Sequence, residues 1–264
     1  MKKSLLKKVS VNAVVSIALV GSMSSVALAS PQQPPLEVNK IAEDRAQKLS
    51  KMTIDEIVAD PFYKDLSFDQ HTVRFYKEIE TFKKNNPHLS IDETVKLFEQ
   101  KFKERDQFNL SAIWDPYVEK WKELTLAEKT LVVTTPHQAL LVDMCRNKAV
   151  EYENSVKYGN QHGNGTQRDA FRHAIWNALM CKYIGKLPAY AWATAHEKID
   201  DPGYWDRITD GFTGRQHTAM DLHNNEKGRD CWNIVTDSII WTSDQTLIDR
   251  VIAKIDAGEM IVLR

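Results

Sequence analysis

Three short polar clusters dominate residues 166–229, and each sits on a helical background of alanine and large apolar residues. They are Asp169-Ala-Phe-Arg172-His173, His196-Glu197 and Asp221-Leu-His223-Asn224-Asn225. A helix that is apolar on one side and carries Asp, Arg, His and Asn between aromatics on the other has to run through an interior, since at a surface Trp176 would face water. Charge is costly to bury unless it is paired or put to use. The feature that demands an interior helix therefore also marks a candidate site. Four of the eight histidines, His173, His196, His217 and His223, fall in this stretch among carboxylates and amides, and a fifth, His162, lies just before it, which is the composition of a metal or acid/base centre.

Local signals elsewhere are also helical and predict an all-α fold, a multi-helix orthogonal bundle with a helical N-terminal segment. Thr53-Ile-Asp-Glu56, Ser90-Ile-Asp-Glu93 and Thr125-Leu-Ala-Glu128 have the spacing by which a hydroxyl and a carboxylate satisfy two free amides at a helix start. Val73, Tyr76, Ile79 and Phe82, then Val95, Phe98 and Phe102, recur every three or four residues as an inward helix face. The region 37–133 holds no chemical constellation, because His71 and His88 stand alone and a metal needs three or four donors. Its aromatics Phe62, Tyr63, Trp114, Tyr117 and Trp121 read as core.

A motif-bearing domain is expected over 134–264. Pro136 opens a helix from about His137 to Tyr158, and Gly159 to Gly165 form a loop. Thr166 then caps a helix whose third residue is Asp169, with Asp169, Arg172, His173, Trp176, Asn177 and Met180 on one face. Gly185 and Pro188 start a second helix that ends at His196-Glu197. Thr218-Ala-Met-Asp221 repeats the spacing of Thr166 to Asp169, so it is expected to open a third helix and set two carboxylate-bearing N-termini across one cavity. Asp221, Asn224, Asn225, Gly228 and Arg229 share a face, where the glycine admits a close backbone or ligand.

The N-terminus carries Lys2, Lys3, Lys7 and Lys8 before an apolar run ending at Val26-Ala-Leu-Ala29. This reads as an export signal over 1–29, cleaved after Ala29, and Ser30-Pro-Gln-Gln-Pro-Pro35 begins a stiff linker over 30–36. Without the signal lysines 31 basic residues face 36 acidic ones, so no nucleic-acid partner is expected. Cys145, Cys181 and Cys231 form an odd set for an exported chain. One disulfide, with Cys181–Cys231 favoured, or three buried thiols both fit.

The string Asp169-Ala-Phe-Arg-His-Ala-Ile-Trp-Asn177, then His196-Glu197, then Met220-Asp-Leu-His-Asn-Asn225 with Gly228-Arg229 resembles a bacterial family of helical domains of uncharacterised function, found in exported proteins and at the ends of large toxins. The resemblance spans roughly 140–241. It implies a shared site at Asp169, Arg172, His173, His196, Glu197, Asp221, Asn224, Asn225 and Arg229, without a reaction attached.

Chemistry must come from those side chains. His173, His196 and Asp221, with Asp169 or Glu197 in reserve, make a mixed nitrogen and oxygen set suited to zinc, manganese or iron. Water bound to such an ion can attack a phosphoryl or acyl centre near neutral pH. The order His, His-acid, Asp is also similar to that of HD phosphohydrolases, although the pair here is His-Glu and the gaps are short. Without a metal, Asp169 or Asp221 would orient His173 as base, Arg172 or Arg229 would neutralise an anion, and Asn224 and Asn225 would fix the substrate. The arginines favour phosphate or carboxylate.

The chain has no glycine-rich phosphate loop, nucleophile elbow or HExxH helix. No organic cofactor is expected. The stretch 200–215 carries Tyr204, Trp205 and Phe212 and reads either as a lid that meets lipid or sugar or as an ordered loop, and its acidic residues lack the spacing of a calcium loop. Three functions remain: a metal-assisted exported hydrolase of a phosphoester, phospholipid or cell-envelope substrate; a toxin-like effector or binding module whose polar cluster is structural; and a metal-independent peptidoglycan-active enzyme with Glu197 as acid and Asp221 as base.

Overall fold

A computed structural model describes residues 47–107, 116–237 and 241–264. The export signal, the linker 30–36 and Trp114 lie outside the described residues. Within them the chain is an all-α multi-helix bundle with one small hairpin. The helices are α1 (Ile54–Ala59), α2 (Gln70–Asn85), α3 (Ile91–Gln107), α4 (Pro116–Glu123), α5 (Leu126–Thr134), α6 (Pro136–Ser155), α7 (Gln167–Ile184), α8 (Lys186–His196), α9 (Gly214–Arg229) and α10 (Asp244–Asp256). The strands β1 (Ile208–Thr209) and β2 (Phe212–Thr213) pair antiparallel, Ile208 opposite Thr213 and Thr209 opposite Phe212. No helix among the described residues is long and apolar enough to cross a membrane.

All three expected capping boxes form. Thr53 and Thr125 each accept from the amide of the glutamate three residues on and receive that carboxylate at their own amide. Ser90 and Glu93 do the same, with the Ser90 amide 2.8 Å from Glu93 Oε2. Tyr76, Ile79, Val95, Phe98 and Phe102 are buried as their periodicity requires. Phe75, Phe98, Phe102 and Trp121 stack as one aromatic cluster joining α2, α3 and α4. His71 and His88 are exposed.

The centre of the bundle is α7. Every residue of it except Gln167, Arg168 and Arg172 is buried, because α6, α8, α9 and α10 all pack around it. The N-terminal helices join the same body: α2 and α1 rest on α6, while α5 touches both α6 and α8. One continuous apolar core runs from Leu49 to Met260.

Two features let α9 approach α7. A Cβ on Gly228 would stand 2.2 Å from the Ala174 carbonyl oxygen, so only glycine fits against that backbone. On the other side the α7 alanines Ala170, Ala174 and Ala178 are fully buried and small. Further along, Lys182 is 1% exposed and is tied to Asp244 at the start of α10, which also accepts from Lys148 and the Tyr152 hydroxyl. Buried charge is compensated there by four converging polar groups.

The third motif helix begins earlier than its repeat suggests. Thr213, rather than Thr218, is the N-cap, in a capping box with Gln216. The reason lies in the hairpin: Asp210 and Gly211 both have positive φ, the two-residue turn that closes β1 on β2 and delivers the chain to Thr213 as the strand ends. Thr218 is therefore inside α9, buried, with its hydroxyl 3.4 Å from that of Tyr204. Asp169 lies in the first turn of α7 but Asp221 is two turns into α9, so two N-termini do not face each other. The stretch 200–215 is ordered around this hairpin, and Asp200, Asp201, Asp206 and Asp210 each have separate partners. All three cysteines are buried free thiols rather than a Cys181–Cys231 bridge, and burial pushes Cys181 up to about 12 and Cys231 to about 11.

Candidate metal centre and cleft

His173 stands at the middle of α7 with a carboxylate on each side of its ring. Nε2 is 3.3 Å from Asp221 Oδ1 and 3.7 Å from Asp169 Oδ1, and Nδ1 is 3.6 Å from Glu197 Oε1. Asp169, His173 and Asp221 each offer one donor atom, and these three atoms lie within 4.8 Å of one another. Asp169 is fixed by α7's own N-terminus. Thr166 caps the helix, Asp169 Oδ2 accepts from the Gly165 amide at 2.8 Å, and Gly165 adopts the positive φ that turns this amide inward.

Burial sets the protonation pattern of this group. It lowers the His173 imidazole below its ordinary value, outweighing the upward pull of Glu197 and Asp169, so the ring is held toward its neutral, ligand-competent form. Burial, with the negative charge of Asp169 beside it, pushes Asp221 up to about 7. Glu197 is likewise raised, chiefly by burial. Asp221 Oδ1 and His173 Nδ1 are buried and have no hydrogen-bond partner. Five other buried side-chain atoms among the described residues, Trp121 Nε1 and Trp192 Nε1 included, are also unpartnered, so these two carry weight only through their place in the donor cluster.

A cleft of about 300 Å³ reaches this cluster at His173, while Asp169 and Asp221 do not line it. One wall is the α6 face Arg146, Ala149, Val150 and Glu153, and the other is Arg172, His173 and Trp176 of α7, with His196 at the end. Arg172 donates to both Asp169 Oδ1 and Glu153 Oε2. Glu153 Oε1 accepts from Arg168 at 3.1 Å.

The sequence-derived site residues divide by place. Asp169, Arg172, His173, Glu197 and Asp221 converge. His196, expected as a ligand, stands outside the donor cluster, because Glu128 holds its Nδ1 at 2.8 Å and its ring centroid is 6.5 Å from that of His173. Asn225 reaches the cluster through Glu197, donating to Oε1 at 3.1 Å. Arg229 does not reach it. Its Nη1 donates to Asn177 Oδ1 at 2.8 Å, Asn177 donates to Asn225 at 2.7 Å, and the chain continues to Glu197. Asn224 is turned away and clamps the backbone of Ile261 through both its amide atoms. His217 and His223 bond to the carbonyls of Thr209 and Glu259, and His162 is exposed.

Sequence reasoning missed Glu128, Glu153 and the relay role of Asn177. Glu128 was legible only as a helix cap. Its Oε2 does take the Thr125 amide at 2.9 Å, but Oε1 takes His196. Burial opposes both charges, yet the contact raises His196 and lowers Glu128. Their joint contribution to stability is then complete between the unfolded values of about 4.5 and 6.5, and fades above the raised His196 value and below the lowered Glu128 value. Glu128→Gln is expected to flatten the stability profile on both flanks, measured by urea unfolding from pH 3.5 to 8.5. An unchanged profile would show that the pair contributes nothing.

No curated protein and no solved structure matches the chain. Residues 129–259, which contain α6 to α10 and every converging side chain named above, match a family described as a domain of unknown function (DUF6973).

Proposed function

We propose that this protein is an exported, metal-assisted hydrolase of a phosphoester in a phospholipid or other cell-envelope material, with the ion held by Asp169, His173 and Asp221. The observation that carries this reading is the convergence of three donor atoms within 4.8 Å, one of them the buried, unpartnered Oδ1 of Asp221. The spacing suits an ion. Donors about 2.1 Å from a common tetrahedral centre lie about 3.4 Å apart, and the His173–Asp221 and His173–Asp169 distances are 3.3 and 3.7 Å. Zinc, manganese or iron fits one imidazole with two carboxylates.

The remaining residues take defined roles. Glu197, oriented by Asn225, stands 3.6 Å from the far nitrogen of His173, beyond hydrogen-bond length, and a small shift of either group would complete the carboxylate–histidine arrangement common behind metal ligands. A divalent ion bound here supplies Lewis acidity and acidifies water. Arg172 shares Asp169 Oδ1 with that position, so an occupant there frees one side of the guanidinium, still anchored by Glu153, to meet a phosphoryl anion in the cleft. Ile208, 70% exposed on the hairpin, is the apolar side chain this loop offers to an envelope surface.

Elemental analysis of protein purified without added metal tests the reading, together with hydrolysis of bis(4-nitrophenyl) phosphate before and after chelation. Stoichiometric metal, chelator-sensitive turnover, and a folded His173→Ala that binds no metal are the expected results. The second reading, a structural polar network in a non-catalytic module, is favoured by the unbroken chain Arg229–Asn177–Asn225–Glu197. No metal under any loading condition and a collapsed His173→Ala would establish it. Peptidoglycan chemistry with Glu197 as acid and Asp221 as base would require both carboxylates at the cleft, and neither lines the opening, whereas an ion on His173 needs only the one donor that does. Chelator-insensitive activity would be its mark.

A further inference from the structure

The cleft has two ends with different chemistry. Glu153 and Arg172 face one another beside Asp169 at one end. The rest of the lining includes Arg146, His196 and Trp176, whose ring meets that of His196 at 5.3 Å. Arg146 and Glu153 are seven residues apart on α6, which places their backbones about 10 Å apart along the helix axis. The second end is therefore distinct from the Glu153 end, while its His196 ring lies 6.5 Å from the ring of His173 in the three-donor cluster.

Three observations bear on Arg146 and His196 as a pair. The one ion-pair contact of Arg146 among the described residues, with Glu123, is 3.7 Å long and joins side chains 51% and 62% exposed, a geometry that screening leaves almost without value. Both oxygens of Glu153, the one acidic side chain in the cleft wall, are already taken by Arg168 and Arg172, so no free carboxylate competes for Arg146 inside the cleft. His196 is held by a built contact rather than left to solvent: Glu128 fixes Nδ1, and the ring meets the Trp176 ring edge-to-face at 5.3 Å. Arg146, Trp176 and His196 also line the depression that continues from the cleft toward α4 and α5, but Glu123, Glu128 and Asp143 line it too, so an anionic ligand ends at Arg146 and His196 instead of passing further in.

We propose that Arg146 and His196 form a second anion-binding subsite, which selects substrates carrying another phosphate or carboxylate group next to the one at the bond that is cleaved. The subsite stands on the cleft geometry alone. Only its use in substrate selection rests on the hydrolase reading. The class it implies is a substrate with repeated or paired negative charge, such as a phosphate-linked polymer or a phospholipid with a charged headgroup, rather than a simple neutral ester. The planar guanidinium offers two parallel donors to such an oxyanion.

The test uses the whole chain after metal removal, so it is independent of the three-donor cluster being loaded. Inorganic phosphate is titrated while the His196 and His173 ring signals are followed by NMR, with Arg146→Ala and Arg146→Lys compared with the parent. Millimolar binding that moves His196 more than His173, weakened roughly tenfold in Arg146→Ala and less in Arg146→Lys, is expected. Equal affinity in all three proteins, no binding at all, or shifts confined to His173 would overturn the subsite. If phosphate binds as expected but no phosphoester is ever hydrolysed, the subsite stands and the hydrolase reading falls.

Discussion

Asp221→Asn is expected to stabilise the metal-free protein at pH 8 while abolishing metal binding and hydrolysis. Asp221 has a side chain 12% exposed, and one of its oxygens is buried without a partner. Burial first, and the neighbouring Asp169 second, push its carboxyl from 3.8 up to about 7. A carboxyl raised in the folded state holds a proton that the unfolded chain has already released, so stability falls as pH climbs from about 4 to about 7. One unit of such a shift corresponds to about 1.4 kcal/mol. Relief of the full charge is therefore worth roughly 2–4 kcal/mol at pH 8, and close to nothing below pH 4.

Asparagine keeps the shape and removes the charge, so urea unfolding of parent and variant should converge in acid and separate in base. Metal affinity should drop at least about 100-fold, since losing a ligand costs more than losing the group behind one. The parent's affinity should itself rise with pH until Asp221 is ionised. A variant that is less stable than the parent at pH 8 would identify Asp221 as a needed hydrogen-bond acceptor and remove the argument for a strained ligand.

What could be seen in the chain and what could not divide along a physical line. The start of α7 was legible because Thr166, Asp169 and the glycine loop before them are all local signals that agree. Gly228 was legible as a close approach because little else explains a glycine inside a helix. The start of α9 was misread because Thr213 and Thr218 carry equally good local signals, and the Asp210-Gly211 turn decides between them.

The functions of Glu128 and Asn224 were hidden for a different reason. Glu128 meets His196 across 68 residues, and Asn224 meets Ile261 across 37. Helical spacing gives the face a side chain occupies but not the neighbour that face will meet. Asn224 and Asn225 are adjacent, and both are fully buried, yet one braces the C-terminal tail and the other braces Glu197. The motif reads as one cluster because its residues are contiguous, whereas the fold distributes them between two tasks.

Asn177→Leu is expected to cost about 3–5 kcal/mol, although leucine is close in size and the site is wholly buried. Asn177 is 0% exposed and makes three bonds: its amide donates to the His173 carbonyl and to Asn225, and its oxygen accepts from Arg229. Leucine would return little hydrophobic gain and would leave the Arg229 Nη1 donor and the Asn225 acceptor unpaired. Removing one partner of a buried polar set costs far more than the bond contributed, because the groups left behind lose water without replacement. Arg229 keeps its contact with the Tyr190 ring at 5.2 Å, which limits the loss but cannot supply an acceptor. If the chain acts as a unit, Asn225→Leu should add less to Asn177→Leu than it costs alone, a coupling of about 1–3 kcal/mol in a double-mutant cycle. Strict additivity would mean that each amide braces its own helix and that Arg229 has no part in holding Glu197 behind His173.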